Sequence, residues 1–130
     1  MRHGIVLLLT AALGACVPPA PRYEIDPARS GPFPDDYKQI VAAYVRDTFL
    51  DPHTLQDVAI SAPDRGRMAD QQGWIVCFVA NGKNGQGAYA GRRTTAYLIN
   101  DGRVIAAEQD PAACEYEKPV PWRELDIRPQ

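Results

Sequence analysis

The sequence predicts an α+β domain in which one amphipathic helix packs on an antiparallel sheet of three or four strands, with one disulfide. Three observations predict it. A single stretch, DYKQIVAAYVRDTFL, carries apolar residues at helical spacing; later runs are alternating or continuously apolar and are separated by turn residues; and an even pair of cysteines lies in the second half.

The helix comes first. Asp35 follows Pro34 and offers an N-cap, and Tyr37, Ile40, Val41, Tyr44, Val45, Thr48 and Phe49 recur on one side. Lys38, Gln39, Arg46 and Asp47 fall on the other. The helix is expected to end near Leu50, because Asp51 precedes Pro52 and that position disfavours helical backbone. Its single apolar stripe suits packing on a sheet rather than a lipid- or partner-binding face. Asp35 and Asp36 read as helix-start residues, where carboxylates meet the positive end of the dipole.

The strands come next. A short one is expected over 57–62, then a polar loop, PDRGRMADQQG. In WIVCFVA, Trp74, Val76 and Phe78 alternate with Ile75, Cys77 and Val79, so both faces are apolar and the strand should be central and covered twice. Residues 89–99 form a longer strand rich in Thr and Tyr, and Asn100-Asp101-Gly102 is a tight-turn signal leading to a strand over 103–107. The tail from Pro111 is irregular, with Trp122, Leu125 and Ile127 suited to folding back on the core.

Between the two long strands stands NGKNGQGAYAGRR. Gly85-Gln86-Gly87-Ala88-Tyr89-Ala90 satisfies the dinucleotide pattern G-x-G-x-x-[GA], whose mechanism needs a helix after it to receive pyrophosphate. The residues after it, from Tyr89 to Tyr97, are a β-type run instead. The stretch therefore reads as a hairpin bend, with Asn81-Gly82, Asn84-Gly85 and Gly87 as its positive-φ positions. Lys83, Asn84, Gln86 and one of Arg92 or Arg93 could still present a polar, cationic rim to a carboxylate or an anionic sugar. Alternation sends Arg92 and Arg93 to opposite faces.

The chain opens MRHGIVLLLTAALGAC: an early Arg, an apolar run and small residues before a cysteine. The run is about 10 residues where a bilayer span needs about 20, so it reads as a signal peptide over residues 1–15. Leu13-Gly14-Ala15-Cys16 resembles the lipobox of bacterial lipoproteins. The resemblance implies diacylation of Cys16 and a mature protein held on a membrane by its lipid. Val17 stands where inner-membrane retention would place Asp, which by the same resemblance implies the periplasmic face of the outer membrane. Residues 16–34 are rich in proline, with little apolar material, and read as a tether reaching up to roughly 50 Å from the lipid. Residues 35–130 then form one domain.

Removing residues 1–15 leaves 115 of 130, with 13 Lys+Arg after loss of Arg2 against 16 Asp+Glu, a balance of −3. No basic excess exists for a nucleic-acid surface. Cys77 and Cys114 remain, and in an oxidising compartment they are expected to pair; the alternative is a buried Cys77 and an exposed Cys114 thiol. One histidine, His53, and two serines, Ser30 and Ser61, are all the mature chain offers for Ser-His chemistry. Ser30 lies in the tether and His53 at a turn. No catalytic set, metal site or cofactor is expected, since one His and two distant Cys do not give zinc-ligand spacing. Paired carboxylates leave no linear signature and stay open.

The run from Trp74 through Val104, with NGKNGQGAYAG between strands and TTAYLI after it, together with LDPHTL upstream, resembles a group of small uncharacterised lipoproteins and exported proteins of alphaproteobacteria. The resemblance supports the architecture and implies no chemistry. The expected function is that of a non-catalytic cell-envelope lipoprotein that binds a protein partner or a cell-wall component such as peptidoglycan. The alternative is a small inhibitor of a wall hydrolase such as lysozyme, with a hydrolase as the third class.

Overall fold

The computed structural model describes residues 24–126; the expected signal peptide, its lipobox, Cys16 and Ile127 lie outside the described residues. Helix α1 spans Tyr37–Thr48. Six strands come after it: β1 Gln56–Ile60, β2 Asp64–Met68, β3 Gln71–Lys83, β4 Tyr89–Asn100, β5 Arg103–Gln109 and β6 Val120–Pro121. They form one antiparallel sheet in the order β5-β4-β3-β1-β6, with β2 also on β3. The α+β class and the helix-on-sheet packing agree with the sequence; the strand count is six rather than three or four.

The extra strands have a physical origin. β1 and β2 run end to end along the same edge of β3, Ile60 opposite Phe78 and Asp64 opposite Ile75. They are one strand path interrupted near Pro63, which has no N–H to give a ladder. At the break Ser61 N–H donates to the Cys77 carbonyl at 2.9 Å, and Cys77 N–H donates to Ser61 Oγ at 2.9 Å. A buried hydroxyl thus stands in for a backbone acceptor.

β2 occupies the stretch whose composition predicts a polar loop. Its residues are polar because it is a sheet edge with Asp64 and Arg65 exposed, and its glycine is a packing requirement. A Cβ at Gly66 would collide with the Ile75 side chain, and one at Gly73, opposite it in register, would collide with the Ile99 carbonyl oxygen. β3 also runs three residues past Ala80, so Asn81-Gly82 is strand and not turn.

Both faces of β3 are covered, as its composition predicts. On one, Val76, Phe78 and Ala80 join Val58, Ile60, Tyr97 and Ile99 beneath Val41, Ala42 and Val45 of α1. On the other, Met68, Ala96 and Leu98 pack with Ile75, Ile105, Ala106 and Cys114. This smaller core lies under a 3-10 turn, Ala112–Cys114, pinned by the Cys77–Cys114 disulfide with its Cα atoms 5.7 Å apart. The tail does fold back: the Trp122 ring is buried edge-on to Phe78, and its backbone N–H donates to the Val58 carbonyl at 2.8 Å.

One local expectation needs correction. The helix is capped at Asp36 rather than Asp35, without a side-chain bond, because the backbone closes the first turn, Tyr37 N–H to the Pro34 carbonyl at 3.1 Å. It stops at Thr48, short of Leu50. Within the segment read as a tether, residues 26–33 contact the sheet. Asp26 caps a 3-10 turn, Pro27–Arg29, and its own N–H donates to Gln72 Oε1 at 2.9 Å. Asn100 Nδ2 donates to the Arg29 carbonyl at 2.8 Å, Trp74 Nε1 donates to the Gly31 carbonyl at 3.2 Å, and Ser30 is fully buried. The prolines that suggest a spacer also restrict the free chain, so docking it costs less entropy, while sheet side chains supply its partners.

Candidate functional site

The hairpin at residues 84–88 is a bend, not a phosphate cradle. Asn84 builds it: its side-chain oxygen accepts from the N–H groups of Gln86 and Ala88 at 3.0 and 3.1 Å, and its backbone pairs with Ala88 and Gly87. The left-handed positions are Gly87 and, farther along, Gly91; Gly82 and Gly85 are not among them. The element after the turn is β4 rather than a helix.

The structure divides the expected rim. Lys83 Nζ lies 3.9 Å from an Asp51 carboxylate oxygen and over the Tyr89 ring. Arg93, opposite Ala80 on the helix side of the sheet, is 3.1 Å from Asp110. Gln86 is exposed at the tip and Asn84 is spent on the turn. Arg92 points to the other face, as alternation requires, and enters a cleft there.

That cleft, of about 280 Å³, is lined by Asp57, Val58, Ala59, Arg92, Pro121, Arg123 and Asp126. A bulge makes it. Gln56 pairs with Asn81 and Ala59 with Val79, so Asp57 and Val58 together oppose the single residue Ala80, and Asp57 takes a left-handed φ of 54°. The bulge removes the Val58 N–H from the ladder, and Asp126 Oδ2 accepts it at 3.2 Å. Pairing of β6 with Ala59 and Ile60 carries Pro121, and after it Arg123, to the same rim. Two guanidinium and two carboxylate groups thereby share one opening.

Arg92 is legible in the sequence as a candidate; Asp57, Arg123 and Asp126 are not. They lie up to 69 residues apart in the chain, and only the bulge and the two-residue strand β6 unite them. The residues considered for Ser-His chemistry do other work. Ser61 bridges β1 to β3 and its hydroxyl donates to the Ala62 carbonyl at 3.0 Å; His53 is exposed on a 3-10 turn, Pro52–Thr54. Cys77 is buried in the disulfide. Among the described residues no cluster of three His, Cys, Asp or Glu could hold a metal, and no helix is long and apolar enough to cross a membrane. A second cavity, between Phe49, Phe78, Ala80, Gly82 and Arg93, is about 90 Å³, below what a drug-sized organic ligand needs.

The chain matches no family model, no curated protein and no solved structure.

Proposed function

We propose that this protein is a non-catalytic binding module of the cell envelope, anchored through a lipid on Cys16 to the outer membrane and facing the periplasm, and that it takes a protein partner or a cell-wall component at the β1–β6 cleft. One observation carries the reading: the cleft joins Arg92 and Arg123 to Asp57 and Asp126 in an opening of about 280 Å³. Small-molecule and cofactor sites are mostly apolar with a few placed polar groups. A cleft dominated by charge of both signs suits a hydrophilic ligand with its own charges, such as a protein loop or a peptide-bearing wall fragment.

The inhibitor reading has one observation of its own. The 84–88 hairpin is self-supporting through Asn84 and exposed throughout, the form of loop that enters another protein's groove.

The test is capture from detergent-solubilised envelopes with the full-length lipidated protein as bait, beside Cys16→Ala and the double variant Arg92→Glu/Arg123→Glu. Both arginines are exposed, so charge reversal leaves the core intact. The expected result is one partner or wall fragment retained by the native protein and lost on charge reversal. Identical recovery with the charge-reversed protein contradicts the assignment to the cleft.

A further inference from the structure

Residues 26–33 lie across one end of the sheet and are held there by Gln72, Trp74 and Asn100. That end is opposite the 84–88 hairpin along β3, and Gln72 is nine residues from Asn81, which sits beside Arg92. At about 3.3 Å per residue the docked segment and the cleft are roughly 30 Å apart. The molecule therefore has two poles, one where the chain enters and one that bears the cleft and the hairpin.

The entry pole has an unusual surface. Phe33 is 48% exposed and stands edge-on to Trp74 at 5.0 Å; Ile25, which precedes the docked Asp26, is 37% exposed. Arg65 lies over the Trp74 ring, 4.7 Å from the ring centroid to the guanidinium carbon, and Arg29 is exposed with its guanidinium donating to the Asp70 carbonyl at 3.4 Å. Aromatic rings with arginines around them match the headgroup level of a bilayer, where an amphipathic ring has both an apolar and a wet neighbour and a guanidinium extends to the phosphates.

Chain length decides what can reach this surface. From Cys16 to Asp26, the first docked residue, there are ten residues, which span about 31 Å as a polyproline segment and at most about 36 Å fully extended. The longer tether expected from composition would let the domain tumble, but residues 26–33 are already used on the sheet.

We infer that the entry pole, with Ile25, Arg29, Phe33, Arg65 and Trp74, rests on the membrane surface that holds the Cys16 lipid, and that the cleft and hairpin are held facing away from it. The inference rests on lipidation of Cys16, proposed above. Asp26, Asp64, Asp70 and Asp101 offset the arginines at this pole, so the contact is interfacial rather than a response to anionic lipid.

The test is quenching of tryptophan emission by brominated phosphatidylcholine vesicles, using lipidated protein with either Trp122→Phe or Trp74→Phe. Trp122 is buried near Val58, toward the cleft pole. The Trp122→Phe protein, which reports Trp74, is expected to lose about half its emission, and the Trp74→Phe protein little, with and without anionic lipid. Equal or absent quenching in the two overturns the inference. Mass analysis of residue 16 tests the anchor separately; if it is unmodified, the same quenching is read on protein coupled through the Cys16 thiol to a maleimide lipid. An unmodified Cys16 with Trp74 quenched in the coupled protein refutes the anchor and sustains the pole.

Discussion

At the scale of single residues, hydroxyl groups in this protein serve packing. Ser61 completes a strand pair that Pro63 interrupts, and Tyr97 is buried at the centre of the main core, 5.2 Å from the Tyr44 ring and 5.7 Å from Phe78. Burial, and to a lesser degree Tyr44, pushes the Tyr97 phenol well above its ordinary value. The unfolded chain would give up this proton near pH 10 while the folded protein keeps it, so the folded form holds more protons above that pH. Stability from this residue is full below pH 10 and falls as pH rises, by about 1.4 kcal/mol per unit. Urea unfolding of native and Tyr97→Phe protein at pH 8 and near pH 11 should show the native protein losing about that much more than the variant. Parallel losses would mean that Tyr97 ionises as readily in the folded state. Nothing in the sequence distinguishes Tyr97 from the five other tyrosines, because its burial depends on α1 closing over the sheet.

At the scale of elements, those with a strong period are legible in the sequence. α1 has a one-sided stripe and β3 an apolar run on both faces, and each is readable because burial alone decides its residues. β2 is not, since an edge strand with Arg65, Gly66 and Arg67 carries no hydrophobic alternation and exists through its ladder to β3. The N-terminal segment is opaque for a related reason: proline content reports a stiff chain, not whether a surface waits to receive it. The Cys77–Cys114 bridge is the element-scale staple, closing a separation of 37 residues and fixing the 3-10 turn over the smaller core. The loop-entropy model gives it about 4 kcal/mol. In Cys77→Ala/Cys114→Ala protein, urea unfolding should show a loss of that order, and hydrogen exchange should show the amides at positions 114 and 115 opening before those of α1. A loss under about 1 kcal/mol would show that the loop is ordered without the bridge.

At the scale of the whole molecule, structure and sequence answer different questions. The N-terminal sixteen residues, on whose lipobox resemblance the proposed envelope placement rests, lie outside the described residues; the fold supplies a cleft that no linear motif announces. Its four charged residues come from a bulge, a long hairpin strand and the returning tail, so the site is a product of topology rather than of any one segment. The docked N-terminal segment sits at the end of the sheet opposite that cleft, so a lipid on Cys16, as proposed, would direct the cleft away from the membrane. Photo-crosslinking in intact cells separates a working cleft from an idle one, with p-benzoylphenylalanine placed at Arg123, on the cleft rim, or at Ala107, an exposed position on β5 at the far edge of the sheet. A discrete adduct with an envelope protein or a wall fragment is expected from Arg123, and none from Ala107. Adducts of equal yield from both positions, or from neither, would contradict a binding module that works through this cleft.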